Sequence, residues 1–347
     1  MPETQPLVAI HFSLGAHTYK DVALLPQIRR QAENFWGPQG SNHQDFYWKE
    51  DKGTSESLIK VFSQFVADGE PLLDAYIQAD HVRNPSLRRR LTPKELAGAR
   101  RFFLLEDGGT GNMTTDSQIA SALFLRREWV MLDEIGKSRQ FEVIPEAYPD
   151  PIAKVRIQQE RELYKNTSSI LDQVKKGSIN SQVLRLYREG MIASLATSNG
   201  ERNAAFLDTM AERAQNAQET GKPTRIFVRI GALHFLLVER LKAQLPAASV
   251  TSQFDEGCDI LLPEDRIILA FENDPKAMFP KEDWIKAVMS IYIDNVLSNT
   301  TMSHKFRRTT INHTLETSSA QELEALVTSL SKVDSEVAVN QFVASKR

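Results

Sequence analysis

The chain predicts an α/β fold: a mixed central sheet flanked by helices, with an inserted helical subdomain and a helical C-terminal region. Three observations carry that prediction. In Thr224-Arg-Ile-Phe-Val-Arg-Ile-Gly231, the apolar Ile226, Val228 and Ile230 alternate with Arg225, Phe227 and Arg229, a strand pattern that ends in Gly231-Ala-Leu-His234. Phe235, Leu236, Val238 and Leu241 then follow at helical spacing, with Pro246 as a stop. A similar unit opens the chain, where Leu7 to Leu14 reads as a strand, Gly15-Ala-His17 as its exit, and Ala23 to Ala32 as a helix. Finally, the spacing from Lys281 to the end is helical, with Trp284, Val288, Ile291, Ile293 and Val296 on one core stripe.

Between these landmarks, residues 36 to 56 read as a long polar loop, on Trp36-Gly-Pro38 and Gln39-Gly-Ser-Asn-His43. Such a loop either covers a site with Trp36, His43 and Trp48 or packs away. Helical spacing over Glu56 to Ala79 and a capped start at Thr92-Pro-Lys-Glu95 make residues 56–105 the helical insertion. Glu106-Asp-Gly-Gly-Thr-Gly-Asn112 matches neither phosphate-loop nor dinucleotide patterns and reads as a plain loop. Ser117 to Ile135 predicts a helix and Gln140 to Ile144 a strand, with Glu146 just past its end. A long helical stretch runs from Pro151 to Leu195, interrupted near Lys176-Gly-Ser178; Ser198-Asn-Gly200 then turns the chain into a helix over 201–213. Ala248 to Ser252 and Asp265 to Ala270 are further strands by their β-branched content. The organisation that follows is an α/β core over 1–280 and a C-terminal helical region over 281–347 packed on it.

Composition narrows the function classes. With 41% hydrophobic and 25% charged residues the chain has enough apolar material for a full-sized core and no disordered bias. A formal charge of −3 gives no global attraction to nucleic acid or anionic membrane, and no segment reaches 18 uncharged apolar residues. One cysteine, Cys258, excludes an internal disulfide and fits a reducing, cytoplasmic setting; its flanking Asp255, Glu256 and Asp259 oppose a nucleophilic thiol, so it reads as structural. The N-terminal residues lack the pattern of a secretory signal.

Hydrolytic metal sites need His and carboxylate ligands with one position left open for water. His17, Glu146 and His234 stand at three strand ends, where α/β sheets collect ligands. Their spacing is not a sequential metal motif, so helix capping and bonds to backbone carbonyls stay open as roles of the two histidines.

Glu201-Arg-Asn203, followed by the strand 225–230 and Gly231-Ala-Leu-His234, resembles the C-terminal signature of the TraB and Tiki proteins. Gly15-Ala-His17 is similar to the first Gly-x-x-His motif of that group and one residue shorter, and Glu146 resembles the acidic residue on their next strand. The resemblance implies a hydrolase, a peptidase or esterase-like enzyme acting on a small-molecule or peptide substrate. His17, His234 and Glu146 would hold a divalent manganese, cobalt or zinc ion or activate water, and Arg202 and Asn203 would steady the substrate. The alternatives are a non-catalytic ligand- or haem-binding protein on the same fold, as in the related ChaN-like group, and an interaction scaffold whose 281–347 helices form a homo-oligomer.

Overall fold

The computed structural model describes residues 6–15, 24–38, 43–55, 128, 131–148, 150–297 and 302–346. His17, the 56–105 insertion, the 106–112 loop and most of the 117–135 helix lie outside the described residues. The chain divides into two compact units: Met1–Ile157 with Ala211–Gly231 and Leu241–Gln253, and Gln158–Met210 with Ala232–Arg240 and Phe254–Arg347.

The first unit holds the sheet. Its strands are β1 (Val8–Gly15), β2 (Gln44–Ser55), β3 (Glu142–Tyr148), β4 (Thr224–Gly231) and β5 (Ser249–Phe254), in the order β3-β2-β4-β1-β5. The fold class is α/β, as the strand-to-helix units imply. β4 pairs in parallel with β1 and with β2, and β2 pairs in parallel with β3. Helix α1 (Leu25–Trp36) begins with Pro26 in its first turn, where a missing N–H costs nothing. It lays Leu25, Ile28, Ala32 and Trp36 against Tyr47, Phe227, Met131, Leu132 and Ile135. Tyr47 and Phe227 stack at 5.4 Å, and Trp36 meets both edge-on. Fully buried Ile28, Ile135 and Phe227 each contribute about 1.5–3 kcal/mol, so the cluster anchors α1 to the sheet.

The second unit is helical. Its elements include the C-terminal part of α2 (Asp150–Lys175), α3 (Ser181–Tyr187), a π-helical turn (Arg188–Ile192), and the first part of α4 (Ala193–Thr220). A 3-10 turn (Ala232–His234) and the start of α5 (Leu236–Gln244) follow, then α6 (Pro263–Asn273), α7 (Lys281–Leu297), α8 (His304–Glu316), α9 (Ala320–Leu330) and α10 (Ser335–Ser345). α7 is buried around most of its circumference, with Trp284, Ile285, Val288, Met289, Tyr292 and Ile293 all inside, which is what a central helix requires. Asn180, Ser303, Ser319 and Asp334 cap α3, α8, α9 and α10 through their side-chain oxygens. No helix among the described residues is long and apolar enough to cross a membrane.

Three local expectations are corrected. Residues 44–55 form strand β2 rather than the end of a loop, and Trp36 and Trp48 are buried. The polarity that suggested a loop belongs to Asp45, Lys49 and Glu50, which are buried in a strand hydrogen-bonded on both sides. Asp265 to Ala270 lies in helix α6, because Pro263 starts the first turn and the Asp265 carboxylate accepts the Leu262 N–H at 2.9 Å. Ser198-Asn-Gly200 is not a turn: α4 runs straight through it. An interior glycine costs a helix about 1 kcal/mol, and burial of Ala196, Phe206 and Met210 on the same helix outweighs it.

Candidate functional site

On α4 the buried residues Ala196, Asn199, Asn203, Phe206 and Met210 recur every three or four positions and form one inward stripe. The motif Glu201-Arg-Asn203 therefore fans out around the helix. Glu201 is exposed and lines a polar cavity of about 250 Å³ with Gln159, Glu189, Ser194, Thr197 and Ser198; Arg202 is half-buried; Asn203 is 1% exposed. Asn203 lies in the interior of α4, so it does not cap the helix. A buried amide on an apolar stripe must instead find partners, since leaving it unpaired would cost about 1–3 kcal/mol.

Asn203 has two. Its Oδ1 lies 2.6 Å from Nδ1 of His234, and its Nδ2 donates to Oε1 of Glu272 on α6. His234 closes the 3-10 turn that follows Gly231 and is buried. Glu272, whose side chain is 1% exposed, forms an ion pair with Arg240 on α5, with Nη1 3.5 Å from Oε1. Arg240 also donates from Nη2 to Oδ1 of Asn273, the next residue of α6, at 3.1 Å. The second unit thus contains a continuous polar chain, Arg240–Glu272–Asn203–His234.

Of the five residues that the sequence singles out, the structure brings His234 and Asn203 into direct contact. Arg202 precedes Asn203 on α4 and is half-buried. Glu146 is corrected from a strand end to a buried position inside β3, which runs on to Tyr148 because its pairing with β2 continues past Ile144, and His17 falls outside the described residues. Glu272 and Arg240 escaped sequence reasoning; Pro263-Glu-Asp265 was the signal that could have put Glu272 on a helix, on the side of Asp265 and Ile268.

The sheet unit holds a second polar group that the sequence did not reveal. Ser13, Arg229 and Lys49 are in register across β1, β4 and β2, and all three are fully buried. Arg229 donates to Oγ of Ser13 at 3.1 Å, and Ser13 donates to Gln31 of α1 at 3.0 Å. Lys49 lies 3.6 Å from Oε2 of Glu128, whose Oε1 accepts the Tyr47 hydroxyl at 2.8 Å. The chain leaves β2 toward β3 and leaves β4 toward β5, in opposite directions across the sheet. This row therefore lies by the switch point of the topology, toward the C-terminal ends of its strands.

Among the described residues no group of three His, Cys, Asp or Glu side chains is arranged to hold a metal ion. His234 itself fits a single metal ligand, because a hydrogen bond to one ring nitrogen fixes the direction of the other. Searches of protein-family models, of curated proteins and of solved structures returned no match for this chain.

Proposed function

We propose that the chain is a hydrolase in which His234 acts as general base, on the TraB- and Tiki-like plan that its sequence resembles. One observation carries this reading: the two halves of the C-terminal signature, Asn203 and His234, are joined by a hydrogen bond of 2.6 Å. Oδ1 only accepts, so the contact places the proton on Nδ1 and the basic lone pair on Nε2. From there Nε2 would take a proton from water as its oxygen attacks an ester or amide carbonyl carbon. The imidazolium would then return that proton to the leaving group as the carbon–heteroatom bond breaks. General-base assistance of this kind is worth about 10²–10⁴ in rate. Arg202, the neighbour of Asn203, is the residue assigned to the oxyanion or to a substrate carboxylate. A manganese, cobalt or zinc ion held in part by His234 would add Lewis-acid polarisation of the carbonyl.

Purified full-length chain should be assayed with p-nitrophenyl esters and with fluorescently quenched casein, with and without each of the three metals. Hydrolysis that drops about 10²–10⁴-fold in His234→Ala, with the circular dichroism spectrum unchanged, supports the proposal. No hydrolysis by the parent chain, or full activity in the variant, overturns it.

The burial of His234 favours a second reading, a non-catalytic binding protein in which this contact only braces the fold. Under it, His234→Ala lowers the melting temperature and the parent chain hydrolyses none of the probes.

A further inference from the structure

We propose that Glu272 and Arg240 are positioning residues for His234, acting through Asn203 to dictate which ring nitrogen carries the proton. The inference rests on the reading of His234 as the base and deepens it.

The argument is one of donors and acceptors. An asparagine amide can present oxygen or nitrogen to a neighbour, and turning it over exchanges the two. A carboxylate accepts only, so Glu272 requires the Nδ2 side of Asn203, and the observed contact is Nδ2 to Oε1. With nitrogen committed to Glu272, Oδ1 is left to face Nδ1 of His234. A carbonyl oxygen also accepts only, so Nδ1 must be the protonated nitrogen and Nε2 the basic one. An instruction fixed on α6 is thereby delivered to the turn after Gly231 by one side chain of α4.

Arg240 holds the sender in place. It follows His234 by six residues and bridges the end of α6, pairing with Glu272 and donating to Asn273. The Glu272 side chain is 1% exposed, and its Oε2 has no hydrogen-bond partner among the described residues. Burying a carboxylate this way is unfavourable, and a leucine of similar volume would pack without that penalty. Packing alone therefore does not account for the acid, whereas commanding the amide of Asn203 requires one. As charge builds on the imidazole, the same carboxylate also polarises Asn203 toward the Nδ1–H it receives.

Histidine-selective ¹⁵N labelling reads the tautomer directly, from two-bond proton–nitrogen correlations recorded near pH 8.5, about two units above the ordinary histidine value. The parent chain is expected to show His234 as the Nδ1–H form, and Glu272→Leu to show a mixture or the Nε2–H form, together with a 10–100-fold loss of kcat/KM on any probe cleaved. Asn203→Asp with Glu272→Gln restores the pattern in reverse: the new carboxylate accepts from Nδ1–H and the new amide donates to it. This double variant should recover the Nδ1–H form, and its Glu272→Gln change removes the contact between two carboxylates that Asn203→Asp alone would create. An Nε2–H tautomer in the parent chain, or an unchanged Nδ1–H signal in folded Glu272→Leu, overturns the proposal. If Glu272→Leu does not fold, the parent spectrum and the double variant decide. Failure of every hydrolysis assay would remove the catalytic reading while leaving the tautomer result standing.

Discussion

Asp45 of β2 and Arg225 of β4 face each other in register and are joined twice, Nε to Oδ1 at 2.7 Å and Nη2 to Oδ2 at 3.0 Å. Arg139 approaches the same carboxylate, donating from Nε to Oδ2 at 3.0 Å, and ties down the end of α1 through the Trp36 and Gly37 carbonyls. One buried acid thus fastens two strands, the turn after α1 and the segment before β3. Asp45→Ala leaves two guanidinium groups without their counter-charge and should cost about 3–5 kcal/mol in urea unfolding. Arg225→Lys should also destabilise, because an ammonium cannot supply the fork. A loss below about 1 kcal/mol in either variant would show that the fastening contributes little.

Lys49 and Glu128 make a different kind of pair, both almost fully buried. Removing one partner strands the other charge, so Lys49→Met should lower stability by about 3–5 kcal/mol. Adding Glu128→Leu should recover much of that loss, a coupling that a double-mutant cycle measures by chemical denaturation.

Gly257 has φ near +82°, and a Cβ there would land on the backbone of Lys305, ahead of the Arg308 that donates to the Ile260 carbonyl. Gly257→Ala should therefore cost about 3 kcal/mol or more, combining a left-handed conformation with overlap that backbone cannot relieve. Gly221, with φ near +66° and nothing within 4 Å of its Cβ position, provides the control. Gly221→Ala should cost only about 1 kcal/mol. Similar melting temperatures for the two variants would contradict the close approach.

Glu264, at the start of α6, has its carboxyl pushed well above the ordinary value of 4.5, first by burial and then by the neighbouring Asp265 and Asp294, against a weaker pull from Arg308. The folded chain therefore holds this proton more tightly than the unfolded chain does. The sign is fixed: the contribution to stability is fully present below pH 4.5 and is lost as pH rises through the folded-state value. Glu264→Gln mimics the protonated form, so it should raise the melting temperature by about 2 °C or more at pH 7. The difference should close below about pH 4.5. Equal melting curves at both pH values would refute the assignment.

Strands β1 and β4 were legible because their apolar residues alternate and their exits carry glycine. β2 was not, since a central strand with buried Asp45, Lys49 and Glu50 looks like a loop to any reading that sorts residues by polarity. α6 was misread because Ile267 and Ile268 suggested a strand more strongly than Pro263 suggested a helix start. At the site, His234 and Asn203 were legible from local order along the chain. Glu272 was hidden: it lies 69 residues from Asn203, and no local pattern announces a contact made only by tertiary packing.

The strand order has a consequence for how the chain reaches its fold. β1 sits between β4 and β5, so both of its neighbours in the sheet are made long after it, and the contact of Ser13 with Arg229 closes 216 residues of chain. During synthesis one edge of β1 must wait with unmet N–H and C=O groups until β4 emerges, and the other until β5 does. The C-terminal helices join neighbours close in sequence and have no such delay. Sheet closure should therefore be the slow step of folding, with β1 the segment most exposed to mispairing before it is complete.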